Sequence, residues 1–274
     1  MQSRFHVAAI LVLAGCTSQV GREGEPGITV FIAASLLPAF EAIKEEFERT
    51  HPGTRVYLNA AGSQQLARQL AAGAPGDVFA SADERWMEFA QERNLVAPPS
   101  RLAGTTLVAV FAARPELADM TLLNLASPGV RLVLGGPDVP VGRYAREVLR
   151  KLGAAPGFGA DFAARAEQGA IAQEDNARSL LAKVRSGEAD AALVYAADLA
   201  LGDSGVRRLE VPAAYNVTAE YWIAPLRAAR DSTAAAEFVA LALGPEGQAR
   251  LARHGFLPPA QHPTFPPPES PDKP

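Results

Sequence analysis

The stretch Ile28-Thr29-Val30-Phe31-Ile32-Ala33-Ala34-Ser35 carries the reading of the fold. Residues 28–33 form a short apolar run of the length of a buried strand. The run stops at two small residues and passes directly into 36–50, where Phe40, Ile43 and Phe47 recur at helical spacing among Glu41, Lys44, Glu45 and Glu48. Residues 55–58 and 78–80 repeat the arrangement, each run being followed by a helical pattern. Further strand candidates are 105–112, 131–134 and Ala191–Tyr195. Strands alternating with helices predict an α/β fold built on parallel sheet. In such sheets ligands bind beyond the carboxyl ends of the strands, beside helix N-termini.

Four small-residue turns stand just before helical patterns. They are Ala34-Ser35 before 36–50, Gly62-Ser63 before 64–72, Val141-Gly142 before 143–152, and Asn176-Ala177 before 178–187. A helix N-terminus offers unpaired N–H groups and the positive end of the macrodipole, about half a charge each at most. Four such ends converging on one point would form an uncharged, all-donor cage able to offset a dianion. Ser35 and Ser63 also read as simple N-caps. Tyr195, closing an apolar strand, reads on its own as a core residue. Asp77 and Asp83 read as caps or turn formers, since a carboxylate beside an oxyanion would repel it.

The chain has 274 residues, with 26 Lys and Arg against 30 Asp and Glu, a formal net charge of −4. No long basic run is present, which argues against nucleic acid as a partner. Met1 to His6 carries Arg4, a short apolar run covers 7–14, and Leu13-Ala14-Gly15-Cys16 looks like a bacterial lipobox. The expectation is a lipoprotein signal over 1–16, with Cys16 lipidated after cleavage, followed by a polar tether over 17–26. Cys16 is the one cysteine of the chain, so the mature domain has neither a disulfide nor a thiolate metal site. Residues 258–274 are rich in proline and read as a disordered tail. Gly202-Asp203-Ser204-Gly205 resembles the nucleophile turn of trypsin-like proteases, but His6, His51, His254 and His262 stand in no triad pattern, and the stretch reads as a surface turn. The nucleophile elbow and the P-loop motif are absent, and no His, Cys or Glu grouping has metal-ligand spacing.

Five segments, taken in order, resemble the periplasmic molybdate-binding proteins of ABC transporters. They are Ile28-Thr29-Val30-Phe31-Ile32-Ala33-Ala34-Ser35-Leu36; Ala61-Gly62-Ser63 before Gln65-Leu66-Ala67-Arg68-Gln69; Gly73-Ala74-Pro75-Gly76-Asp77-Val78-Phe79-Ala80-Ser81-Ala82-Asp83; Val139-Pro140-Val141-Gly142-Arg143-Tyr144-Ala145; and Glu188-Ala189-Asp190-Ala191-Ala192-Leu193-Val194-Tyr195. The resemblance implies a periplasmic-binding-protein-like fold of two lobes, each a mostly parallel sheet flanked by helices, with the ligand in the interlobe cleft. The hinge would be two crossing strands near 104–108 and 215–221. Lobe one would comprise 27–106 plus 218–257, with final helices over 231–243 and 245–254, and lobe two would comprise 107–217.

Carried over by position, Ser35 and Ser63 would give hydroxyl and backbone donors, Val141 and Ala177 backbone N–H groups, and Tyr195 its phenolic O–H. A shift of one residue would make Asn176 the contact in place of Ala177. The implied function is capture of molybdate, and of the nearly isosteric tungstate, and delivery to the membrane subunits of an ABC permease. No catalysis, cofactor or directly coordinated metal is expected. The protein would be a monomer held by its lipid on the periplasmic side or extracellular face. Rival readings are a binder of another oxyanion such as sulfate or thiosulfate, signalled by a cleft cation for which Arg143 and Arg178 lie close enough; an α/β hydrolase; and an interaction lipoprotein using its Pro-rich tail.

Overall fold

The computed structural model describes residues 27–199 and 205–259. The expected signal, Cys16 and tether, residues 202–204 of the surface turn, and the tail from 260 onward lie outside the described residues. The chain opens with β1 (Gly27–Ala33), passes through a 3₁₀ turn (Ala34–Leu36) into α1 (Leu37–Thr50), and continues with β2 (Arg55–Ala61), α2 (Ser63–Ala71), β3 (Val78–Ser81) and α3 (Glu84–Glu92). The long β4 (Ser100–Ala112) leads to β5 (Leu132–Gly135), α4 (Pro140–Gly153), α5 (Phe162–Gly169), β6 (Ala172–Glu174), α6 (Ala177–Ser186), β7 (Ala191–Tyr195) and β8 (Val206–Glu210). β9 (Thr218–Pro225), α7 (Ser232–Leu243) and α8 (Pro245–Arg253) complete it.

Among the described residues nine strands form one mixed sheet in the order β2-β1-β3-β9-β4-β7-β5-β6, with β8 pairing β4. Toward each end the pairs are parallel, as the strand–helix alternation predicts. The centre departs from that expectation, because β9 runs antiparallel to both β3 and β4, and β4 antiparallel to β7 and β8. The reason is the length of β4. Its 13 residues serve two sets of neighbours. Ser100 to Thr106 pairs with β9, whereas Leu107 to Phe111 pairs with β7 and Val108 to Ala112 with β8. The half from Leu107 to Ala112 is buried on both faces, hence its unbroken apolar run.

α1 packs Phe40, Ile43 and Phe47, all fully buried, against the sheet. Phe40 and Phe47 meet Phe238 of α7, with ring centroids 6.0 and 5.3 Å apart, so the last helices close over the first one. The other face of β1 and β3 carries a separate apolar cluster that includes Phe31, Leu66, Phe79, Trp86 and Met87. Asp77 accepts the N–H groups of Thr29 and Arg230, each at 2.7 Å, and so ties β1 to the segment entering α7.

The helix starts differ from the sequence reading in one useful way. α4 begins at Pro140, three residues before the expected 143. Proline is well suited to a first helical position, because its φ is already helical and its missing N–H needs no partner there. Val141 and Gly142 therefore lie inside the first turn. A Cβ on Gly142 would overlap the carbonyl oxygens of Gly135 and Gly136, so only glycine lets this helix start sit directly on the end of β5.

Candidate functional site

Every ligand-binding residue expected from the sequence lies on one cavity. Its wall includes Ser35, Ser63, Val141, Asn176, Ala177 and Tyr195, with Ala33, Ala34, Ala61, Gly62, Ala82, Val139 and Pro140 between them. The cavity volume is about 20 Å³, far below the roughly 300–1,000 Å³ of pockets that hold drug-sized molecules. Its wall contains no Lys, Arg, His, Asp or Glu.

Four helical N-termini reach this space from different elements. Ser35 is in the 3₁₀ turn ahead of α1, Ser63 is the first residue of α2, Val141 the second of α4 and Ala177 the first of α6. The N–H groups of Ser63, Val141 and Ala177 come too early in their helices to have an acceptor within them. The serines are not the N-caps they could have been: α2 is capped from Gly62 and α1 from Leu36, with no serine side-chain cap bond at either. The Ser63 hydroxyl instead accepts the Ala82 N–H at 3.0 Å, which leaves its own proton free to be donated. The Ser35 hydroxyl lies 2.8 Å from the Tyr221 hydroxyl. Asn176 does cap α6, accepting the Ser179 N–H at 3.0 Å, so its side chain is spoken for while the Ala177 N–H is not.

Tyr195 closes β7 and is 1% exposed. Its hydroxyl is buried and has no hydrogen-bond partner among the described residues. An unmade bond on a buried hydroxyl costs about 1–3 kcal/mol, so this phenol is set up for an acceptor that arrives from outside. Burial pushes the Tyr195 and Tyr221 phenols well above their ordinary value, and it also raises Tyr144, whose ring meets Tyr195 edge-on at 6.4 Å. These hydroxyls therefore stay neutral donors at physiological pH. Burial also pushes the Asp198 carboxyl, just beyond Tyr195, up to about 7, against the pull of Arg178 and Arg185.

Neither Arg143 nor Arg178 lines the cavity. Arg143 forms a 2.8 Å ion pair with Asp83, which is 1% exposed, so its charge is neutralised beside the site. Asp83 also caps α3 by accepting the Trp86 N–H at 3.1 Å. More polar contacts join the β1–β3 side of the cavity to the β5–β7 side. Gln64 donates to the Asp175 carbonyl at 2.8 Å and Gln65 to its carboxylate at 3.1 Å. Asp138 takes Arg68 and Arg85, each at 3.1 Å, while the Trp86 indole N–H donates to its carbonyl at 2.8 Å. A Cβ on Gly62 would overlap the Asp175 carbonyl, so glycine is what permits this approach.

Sequence reasoning did not reach Tyr221 as a partner of Ser35, nor Ala82 as the donor to Ser63. Both contacts join residues far apart in the chain, and no local pattern marks them.

The tyrosines make a pH prediction. Their folded-state values lie above the unfolded value of 10.0, so the folded protein holds these protons more tightly, and stability is lost as pH rises above that value. In a spectrophotometric titration, three of the five phenols should ionise only together with alkaline unfolding. Reversible ionisation of all five in the folded protein would contradict the burial.

Comparison with known proteins gives the family of the chain. A family model described as bacterial extracellular solute-binding protein matches residues 28–257. The molybdate-binding protein ModA of Escherichia coli K12 is 34% identical over 257 residues, covering 90% of this chain and 95% of the relative. Among solved structures, the periplasmic molybdate-binding protein of Azotobacter vinelandii has a TM-score of 0.72 at 22% identity, covering 85% of this chain and 100% of that one. The sulfate-binding protein SubI of Mycobacterium tuberculosis has a TM-score of 0.73 at 17% identity, covering 85% and 87%. At those identities the structural likeness speaks to the fold alone. The family match and the ModA identity together show that the chain belongs to the bacterial extracellular solute-binding proteins, in the ModA molybdate-binding family, whose members are binders and not enzymes.

Proposed function

We propose that the protein captures molybdate, and also tungstate, and hands it to the membrane subunits of an ABC importer. The observation that carries this reading is the partnerless Tyr195 hydroxyl on a small cavity walled by helix N-termini and free of charged side chains. A fully deprotonated tetrahedral dianion accepts from every side and needs no acceptor in return. In this reading the ligand takes the hydroxyls of Ser35, Ser63 and Tyr195 and the N–H groups of Val141 and Ala177. Hydrogen phosphate carries a proton that such a site would leave unpaired, at a cost of about 1–3 kcal/mol. Sulfate is smaller and would leave the donors too far away.

The same reading divides the chain into two lobes, 27–106 with 218–257 and 107–217, that hinge where β4 exchanges β9 for β7. The structure would be the closed form, held by contacts such as Asp138 with Arg68 and Arg85. The closed, liganded monomer would dock on the permease, and lipid on Cys16 would tether it to the membrane. The hydrolase and tail-mediated readings have no support from the family.

Isothermal titration calorimetry tests the ligand. Tight one-to-one binding of molybdate and tungstate, without sulfate or phosphate, is expected; preferential binding of sulfate would discard the assignment. Asp138→Ala should speed molybdate release about threefold to fivefold, the effect of losing two exposed ion pairs that together contribute about 1 kcal/mol. Stopped-flow tryptophan emission reads it, because Trp86 sits in the same contact, and an unchanged off-rate would remove Asp138 from closure. Cys16→Ser should move the protein from the membrane fraction to the soluble one; continued membrane attachment would contradict the lipid anchor.

A further inference from the structure

We propose that Tyr221 is a specificity-determining residue that acts through Ser35: by donating to the Ser35 hydroxyl it makes that serine a one-way donor into the cavity. This rests on the oxyanion reading above and extends it to a residue that does not itself line the site.

Tyr221 is fully buried in β9, its ring edge-on to Tyr195 at 5.7 Å and to Phe256 at 5.2 Å. Its hydroxyl makes one hydrogen bond among the described residues, the 2.8 Å contact with Ser35 Oγ, in which either oxygen could be the donor. The two directions are not equivalent. If Ser35 donated, the phenolic proton of Tyr221 would be buried without an acceptor, and Ser35 would turn lone pairs toward the ligand. If Tyr221 donates, its proton is satisfied and the Ser35 proton is left for an acceptor in the cavity. A buried donor left unpaired is the costlier arrangement, so the pair is polarised from Tyr221 to Ser35 to ligand. Ser63 is polarised in the same sense by the Ala82 N–H. The phenol keeps its proton because burial holds its ionisation well above the ordinary range.

The consequence is selection by protonation state. A fully deprotonated oxyanion accepts from Ser35, whereas a protonated one brings a donor to a donor. In Tyr221→Phe the ring packing is kept, but Ser35 is free to rotate and to accept.

The test measures molybdate and arsenate affinity at neutral pH in the wild type and in Tyr221→Phe. Arsenate is chosen because it is tetrahedral and carries at least one proton under these conditions. The variant should bind molybdate more weakly and narrow the molybdate-to-arsenate preference about tenfold, the scale of one satisfied hydrogen bond. In the double variant with Ser35→Ala, Tyr221→Phe should add no further loss of molybdate affinity, because the phenol acts through that hydroxyl. An unchanged preference, or additive losses in the double variant, would overturn the role of Tyr221 while leaving the oxyanion site standing. A wild-type protein that binds no oxyanion would instead remove the reading on which the proposal rests. Should Tyr221→Phe not fold, a neutron structure of the wild type with molybdate carries the test: a deuteron on the Tyr221 hydroxyl directed at Ser35 Oγ is expected, and one on Ser35 Oγ directed at Tyr221 would overturn the proposal.

Discussion

β4 supplies hydrogen bonds to both halves of the sheet, and the site depends on that sharing. Up to Thr106 it pairs with β9, which in turn pairs with β3; from Leu107 it pairs with β7 and β8. A strand that changes partners along its length fixes where the two halves meet. Leu107 stands opposite Tyr195, so the change of partner and the phenol at the cavity are set by neighbouring pairings in one ladder. The C-terminal segment adds a second tie at the same place, with Gly104 and Leu257 exchanging backbone hydrogen bonds at 2.7 and 2.8 Å. Moving β4 by one residue would turn its side chains to the opposite faces and take Tyr195 out of register with the helix starts.

Electrostatics on the cavity wall are built from dipoles, since no charged side chain lines it. Arg143 would be the natural counter-ion for an anion, yet it is engaged by Asp83 from the other side. Helix N-termini and neutral hydroxyls remain, and these act at contact distance. Such donors cost little reorganisation when a ligand arrives, because the backbone already holds them in place. The arrangement also explains the glycines: Gly142 and Gly62 lie where a side chain would push a helix start or the opposite wall away from the cavity.

Much of this was legible in the sequence, for local reasons. The β1 run and its Ala34-Ser35 turn are local features, as are the starts of α2 and α6, which fell within a residue of their expected places. The start of α4 was misplaced because Val141-Gly142 reads as a turn until Pro140 is given its role as a first helical residue. The crossing strands came from the resemblance, and their antiparallel pairing was not read, because alternation of strands and helices carries no information about a strand that crosses between halves. Ser35, Ser63, Val141, Ala177 and Tyr195 came from a family resemblance, and the structure gathers them on one wall. Tyr221 was seen only as part of a crossing strand, since its pairing with Ser35 spans 186 residues.

The central claim is that an anion is held without a counter-ion. A crystal structure of the protein with molybdate, with the metal located by its anomalous scattering, tests it most directly. The account predicts molybdenum centred in the cavity, its oxygens within hydrogen-bond distance of the Ser35, Ser63 and Tyr195 hydroxyls and of the Val141 and Ala177 N–H groups, with Arg143 still on Asp83. Molybdenum bound elsewhere, or an Arg143 released from Asp83 to contact it, would contradict the account.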